Sequence, residues 1–314
     1  MESRAVGRSG LHVSRVGLGT MTWGRDTDEY EARDQFELFL GAGGTLFDTA
    51  DVYASGAAEE LLGTLVSEAG VREEVVIATK AGGRRTPDRR FDTSRRHLLR
   101  ALDGSLARLG TDYVDLWLVH GWDGVTPIEE TLSALAAAQE SGRARYVGVS
   151  NFAPWQLALA ATTAQHRHGL ALVANEVEYS LLARDGELDA LAAAAAVGSG
   201  VLAWSPIGRG VLTGKYRHGT PADSRGASPH LGGFVREYLD LAHRRIVDAV
   251  CTAAEGLGVA PVEVAVTWVR DRSGVASVLL GSRTAAQLRG ALRSDDLVLP
   301  VEIRAALDEV SAGI

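Results

Sequence analysis

The sequence predicts an α/β fold of the (β/α)8 (TIM) barrel class, on three observations. Short apolar runs alternate with helix-length amphipathic segments along all 314 residues. Eight such runs occur, and each is continuously apolar, as expected for parallel strands covered on both faces. No proline-rich or glycine/serine-rich linker divides the chain. We therefore expect one barrel domain over residues 1–314, although an open doubly wound sheet is the other α/β solution.

The elements follow in order along the chain. A hairpin is expected within residues 1–14, where it is placed to plug the bottom of a barrel. Capping residues mark several helix ends, with Ser94 and Gly110 around one helix and Pro127 and Pro261 opening two others. The predicted helices include 28–41, 94–109, 127–141 and 261–272, and the predicted strands are 16–18, 45–47, 75–78, 114–119, 146–149, 172–174, 201–204 and 277–280.

A long segment, residues 205–240, interrupts this rhythm after the seventh strand and is rich in glycine, proline, serine and arginine. A loop of this length inside a compact domain usually has a function. We interpret it as a flap over a ligand.

Composition excludes several classes of function. The net charge is −8 and no basic block stands out, which argues against nucleic acid as a partner. No apolar run reaches the roughly 18 residues of a membrane span, and no signal segment follows Met1. The single cysteine, Cys251, fits a reducing cytoplasm, where we expect the protein to reside. The sequence predicts no metal site.

Polar residues end the predicted strands, and in a barrel such side chains converge on one mouth. Asp48, Tyr53, Lys80 and His120 form a chemically coherent set there. A free tyrosine is a poor acid at neutral pH, because its pKa is about 10. A nearby ammonium lowers that pKa, an aspartate keeps the lysine charged, and a histidine orients a substrate oxygen. Taken singly, Asp48 is a helix or loop cap in the minority of cases, whereas a lone Tyr53 is more often a packing residue and a lone His120 more often a structural histidine.

Lys80 strengthens this interpretation, because the chain uses arginine almost everywhere else. Only Lys80 and Lys215 are lysines among the 32 basic residues. A compact ammonium that shares charge with a phenol is not replaceable by a planar guanidinium.

At these residues the sequence resembles the aldo-keto reductase superfamily, over nearly the whole chain. The resemblance implies a barrel in which NADPH supplies a hydride to an aldehyde or ketone, with Tyr53 as the proton donor. The stretches that carry it are 15–21, 47–53, 77–80, 115–120, 148–152, 204–206, 210–216 and 281–284.

The resemblance also implies which residues bind NADP(H). Ser150 and Asn151 would hold the nicotinamide carboxamide, Trp204 would stack on its ring, and Arg283 would grip the 2′-phosphate. The other positions implied by the resemblance are Thr20, Met21, Glu176, Ser205, Pro206, Ile207, Gly208, Gly210, Leu212, Lys215, Gly281, Ser282 and Gln287.

Two positions depart from the family pattern. Glu176 stands where glutamine is usual, so it cannot donate a hydrogen bond when ionised and places negative charge near the ring. Ala291 stands where an asparagine often contacts adenine. The retained His120 favours carbonyl reduction over double-bond reduction.

The expected partner is a small carbonyl compound, and we expect Trp23 and Trp122 to line its pocket. The identity of the substrate, the direction of the reaction and the oligomeric state stay open. Two other functions also stay open. In the first, Lys80 is a Schiff-base nucleophile in a barrel lyase. In the second, the chain is a non-catalytic NADPH-binding regulatory subunit.

Overall fold

A closed barrel of eight parallel strands forms the centre of the protein, which confirms the predicted fold. The computed structural model describes residues 1–86, 89–184 and 187–313. The barrel strands follow one another in chain order and β12 closes the ring by pairing with β3. They are β3 (Val16–Gly19), β4 (Leu46–Asp48), β5 (Val76–Ala81), β8 (Val114–Val119), β9 (Ala144–Ser150), β10 (Leu172–Glu178), β11 (Gly200–Trp204) and β12 (Val275–Leu280).

Helices surround the barrel, and those predicted from the sequence are present with ends shifted by a residue or two. Asp28 caps α1 through its side chain, and Gly110 ends α3 in the left-handed conformation. The helices are α1 (Glu29–Gly41), α2 (Ala57–Ala69), α3 (Arg95–Leu109), α4 (Ile128–Glu140), α5 (Pro154–His168), α6 (Glu187–Val197), α7 (Gly232–Arg236), α8 (Leu241–Leu257), α9 (Pro261–Arg270), α10 (Ala285–Leu292) and α11 (Val301–Val310).

Several strands run further toward their carboxyl ends than the apolar pattern indicates. β5 continues through Lys80, which pairs with Leu118 of β8. β10 continues through Glu176, which pairs with Ser150 of β9. The hydrogen-bond ladder does not depend on side-chain polarity, so polar residues at the mouth belong to the strands themselves.

The predicted N-terminal hairpin is present and closes the amino-terminal end of the barrel. β1 (Ser3–Ala5) pairs antiparallel with β2 (His12–Ser14). Val6, Leu11 and Val13 are buried against apolar side chains inside the barrel. Gly7 has φ +57° and approaches the start of β11 so closely that an added Cβ would lie 2.3 Å from the carbonyl oxygen of Gly198. Only glycine fits there.

Two insertions lie at the opposite end, on the side of the strand carboxyl termini. An antiparallel pair, β6 (Gly83–Thr86) and β7 (Arg89–Phe91), follows β5 and was not predicted. The segment 205–240 is not a plain loop, since it contains two short 3-10 helices, Gly208–Thr213 and Arg225–Ala227, and α7.

Among the described residues, no helix by itself has both the length and the apolar character needed to cross a membrane. Only α8 and α9 taken together pass on length and composition, and they are bent by 103° at their junction.

Candidate active site

Two carboxyl groups flank the Lys80 ammonium at the carboxyl end of the barrel. Its Nζ lies 2.5 Å from Oδ1 of Asp48 and 3.1 Å from Oε2 of Glu176. These side chains come from the neighbouring strands β4 and β5 and from β10 across the barrel. The Lys80 side chain has no exposed surface, and those of Asp48 and Glu176 are at most 5% exposed. The Asp48–Lys80 pair was predicted from the sequence, whereas the Glu176–Lys80 contact was not.

Tyr53 and His120 stand next to this cluster. The Lys80 Nζ is 5.4 Å from the centroid of the Tyr53 ring. The Tyr53 and His120 rings meet edge to face with their centroids 6.1 Å apart. The structure therefore brings all four residues of the predicted tetrad together.

The direction of the Tyr53 pKa shift corrects the sequence prediction. Burial raises the pKa of Tyr53 above its usual value, and the positive charge of Lys80 opposes this only in part. The negative charge of Asp48, and that of Glu176 when it is ionised, raise it further. The phenol is thus fully protonated at neutral pH.

Burial also sets the charge states of the other groups. It lowers the pKa of His120 to about 3, helped by the positive charges of Lys80 and Arg90, so this imidazole is neutral. Burial raises the pKa of Glu176 to about 8, and the negative charge of Asp48 acts in the same direction. The two carboxylates raise the pKa of Lys80 against the effect of burial, so the ammonium stays charged.

Backbone strain accompanies the strand ends at this mouth. Asn151, directly after β9, has φ +58°, and Ser205, directly after β11, has φ +57°. Non-glycine residues rarely adopt this conformation, and such outliers cluster at functional sites. The Asn151 side chain is fixed on both ends, because its Nδ2 donates to the carbonyl oxygen of His120 and its Oδ1 accepts from Trp204 Nε1.

A cavity of about 580 Å³ opens above these residues and extends under the segment 205–240. Asp48, Tyr53 and His120 are among the residues that line it. Most of the positions that the resemblance assigned to the cofactor also line it: Met21, Asn151, Glu176, Trp204, Ser205, Pro206, Ile207, Gly210, Lys215, Gly281, Ser282, Arg283 and Gln287. Ala291, one of the two departures, lines it as well.

Four predicted cofactor positions lie behind the cavity wall, because each is buried and engaged elsewhere. The Thr20 hydroxyl donates to the carbonyl oxygen of Asp48, and the Ser150 hydroxyl donates to that of Glu176. Gly208 packs on Leu182, and Leu212 belongs to the apolar core.

The two predicted pocket tryptophans do not line the cavity. Trp23 is fully buried, and its Nε1 donates to Oε1 of Gln35, so it is a core residue. Trp122 is half-buried and packs against Phe152 and Trp155 with ring centroids 5.3 and 5.6 Å away.

Three cavity arginines, Arg90, Arg209 and Arg225, were not predicted from the sequence. Arg225 lines the cavity together with Lys215 and Arg283, and the charges of Arg225 and Arg283 act on the Lys215 ammonium. Arg90 of β7 lies near His120. Within the described part of the chain, none of Lys215, Arg225 and Arg283 forms an ion pair with a carboxylate. The segment 205–240 contains several arginines, and the sequence did not distinguish them. Arg209, by contrast, forms ion pairs with Glu178 and Glu237.

Comparison with known proteins agrees with this geometry. The chain is 35% identical to the protein named Uncharacterized oxidoreductase YrpG of Bacillus subtilis, over 100% of the chain and 97% of that protein. It is 34% identical to proteins named probable voltage-gated potassium channel subunit beta, from Oryza sativa subsp. japonica and Arabidopsis thaliana. Those matches cover 99% of the chain and 96% and 95% of the two proteins. The model of the aldo/keto reductase family matches residues 15–312, and the chain therefore belongs to the aldo/keto reductase family.

Proposed function

We propose that the protein reduces an aldehyde or ketone to an alcohol with NADPH, and that Tyr53 is the general acid. Membership of the aldo/keto reductase family makes it an oxidoreductase. The observation that carries the finer proposal is the convergence of Asp48, Tyr53, Lys80 and His120, three of which, Asp48, Tyr53 and His120, line the cavity.

The residues of the cavity fit a phosphorylated dinucleotide. Its lining includes the amide of Asn151 and the flat ring of Trp204. It also includes the cations of Lys215, Arg225 and Arg283, which lie close enough to interact with one another. Cations without carboxylate partners are costly together unless an anion joins them. Asn151 and Trp204 would hold the nicotinamide end, and the three cations would hold the phosphates, Arg283 through the paired donors of its guanidinium.

The cofactor, when bound, supplies the hydride. The side chains of the protein supply the proton and orient the substrate oxygen. A small carbonyl compound would place its oxygen between Tyr53 and His120, where the neutral imidazole donates or accepts a hydrogen bond. The raised pKa of Tyr53 keeps its proton in place until an alkoxide, which is the stronger base, forms beside it. The Lys80 ammonium then stabilises the phenolate left behind.

The test is Tyr53→Phe, with Tyr113→Phe as the matched control. Tyr113 lies directly before β8, and its hydroxyl donates to Glu73. Removing the general acid lowers turnover by about 100-fold or more, while NADPH affinity stays near that of the wild type. The Tyr113 variant keeps normal turnover. Normal carbonyl turnover by the Tyr53 variant would contradict the assigned proton donor.

A second candidate is a non-catalytic NADPH-binding regulatory subunit. It is favoured by the two plant relatives whose names are those of potassium channel β subunits. A panel of aldehydes, ketones, sugars and quinones separates the two functions. Tight NADPH binding without turnover on any of them favours the regulatory subunit.

The Schiff-base lyase is poorly supported by the surroundings of Lys80. A nucleophilic lysine must be neutral and reachable. Here the two carboxylates raise the pKa of the Lys80 ammonium, and the side chain has no exposed surface. Borohydride trapping of Lys80 with a carbonyl compound would restore that candidate.

A further inference from the structure

The buried cluster at the mouth contains one more acid than base. Asp48 and Glu176 both contact Lys80, and all three side chains are almost completely removed from water. One ammonium balances one carboxylate. A second buried negative charge that is not balanced by a second positive charge is costly. The cluster therefore favours a proton on one of its two carboxyl groups.

The groups that face Glu176 leave it as the site of this proton at neutral pH. From β4 it meets Asp48, from β5 Lys80, and from the loop after β4 Tyr53. Its partners in the neighbouring strands, Ser150 in β9 and Leu202 in β11, do not titrate. Asp48 has the shorter contact to the ammonium, 2.5 Å against 3.1 Å, which favours the ionised form of Asp48. Burial raises the pKa of both carboxyl groups, that of Glu176 to about 8. The hydrogen bond between them lowers the pKa of Asp48 and raises that of Glu176, which agrees with this assignment.

Glu176 also faces the cavity, on the side of Asn151 and Trp204. If the proposed function is correct, the nicotinamide lies at this end. An oxidised nicotinamide ring carries a positive charge, and a reduced ring is neutral. Only the oxidised ring therefore gains from a carboxylate beside it.

We propose that Glu176 makes the site distinguish the two redox states of the cofactor. The ionised carboxylate binds NADP+ in preference to NADPH, and NADP+ binding expels the Glu176 proton. The preference of the site for NADP+ over NADPH thus increases as the pH rises. This inference rests on the proposed function, since it requires a nicotinamide cofactor in the cavity.

The size of the effect follows from the charge interaction. A unit charge within about 4–6 Å of a carboxyl group shifts its pKa by about 1 to 3 units. Each unit is a tenfold change in the ratio of the two affinities. We expect the ratio of the dissociation constants for NADP+ and NADPH to fall at least about tenfold between pH 6 and 9.5. The 2′-phosphate titrates in both cofactor forms, so its contribution to the ratio cancels.

The experiment measures both dissociation constants across this pH range by quenching of protein fluorescence, for the wild type, Glu176→Gln and Asp51→Asn. Asp51 is the matched control, because burial raises its pKa to about 7 but it does not line the cavity. The ratio should be pH-independent in Glu176→Gln and should fall in Asp51→Asn as in the wild type. A constant ratio in the wild type, or an equal fall in Glu176→Gln, would overturn the inference.

Calorimetry of the wild-type protein gives a test that needs no variant. In two buffers of different ionisation enthalpy at pH 7.5, NADP+ binding should release more protons than NADPH binding. Equal release overturns the inference and leaves the proposed function intact. If neither cofactor binds at any pH, the proposed function itself fails.

Discussion

The indole Nε1 of Trp204 donates a hydrogen bond to Oδ1 of Asn151 at 3.1 Å and thereby ties the end of β11 to the end of β9. Asn151 in turn donates from Nδ2 to the carbonyl oxygen of His120, at the end of β8. Three strand ends are thus linked through one amide held at φ +58°. The link fixes which way the amide points into the cavity.

Trp204→Phe tests this link, because phenylalanine keeps an aromatic face but lacks the donor. We expect NADPH to bind several-fold more weakly. The free energy of unfolding should fall by about 1 kcal/mol, the usual contribution of one hydrogen bond. Fluorescence titration and urea unfolding measure the two effects. Trp155→Phe is the control, since Trp155 is 61% exposed and does not line the cavity. An affinity loss of the same size in both variants would argue against a specific role for the Trp204–Asn151 bond.

Arg283→Ala tests the assignment of the 2′-phosphate. A charge-assisted hydrogen bond is worth about 1.5–3 kcal/mol, so KM for NADPH should rise about tenfold or more while KM for NADH changes little. Arg225→Ala should also weaken NADPH binding, because its guanidinium lines the same cavity and lies close enough to interact with Arg283. Arg289→Ala, on the exposed face of α10, should leave both constants unchanged. Equal effects of Arg283→Ala on NADPH and NADH would refute the contact.

The shifted pKa of Glu176 predicts how stability depends on pH. In the unfolded chain Glu176 loses its proton near pH 4.5, whereas in the folded protein it retains the proton up to about pH 8. Between these values the folded state binds more protons, so the free energy of unfolding falls as the pH rises. The total loss from this group is on the order of a few kcal/mol.

Urea unfolding between pH 4.5 and 8 measures this slope, and Glu176→Gln should make it shallower. Some slope remains in the variant, because the raised pKa of Asp51, about 7, acts in the same direction. An unchanged slope in Glu176→Gln would show that Glu176 is ionised in the folded protein throughout this range.

The barrel was predictable because each of its eight strands contains a short, mostly apolar run, and burial on both faces demands that pattern. β6 and β7 were not predicted, because they lack such an apolar run. They are short, carry arginines, and leave no apolar periodicity in the sequence. The short helices after β11 likewise lack a periodic apolar face.

The tetrad was predictable from strand ends, because barrel topology alone brings those positions together. Distances across the barrel were not predictable. Glu176 is 96 residues from Lys80 along the chain, and only the closed ring places its carboxylate beside the ammonium. The direction of the Tyr53 pKa shift was also not predictable from the sequence. Burial of the phenol outweighs the effect of the Lys80 charge, and the degree of burial depends on the tertiary structure.

Trp23→Ala tests the correction that moves this residue from the pocket wall to the core. Trp23 has no exposed surface and donates to the buried Gln35, so its removal leaves a cavity and an unpaired amide oxygen. We expect a loss of about 3–5 kcal/mol in the free energy of unfolding, the range for a buried tryptophan. Trp122→Ala, at a half-buried position, should cost less. The order of preference among carbonyl substrates should be unchanged in Trp23→Ala at temperatures where the variant is folded. A variant of normal stability with altered substrate preference would return Trp23 to the pocket wall.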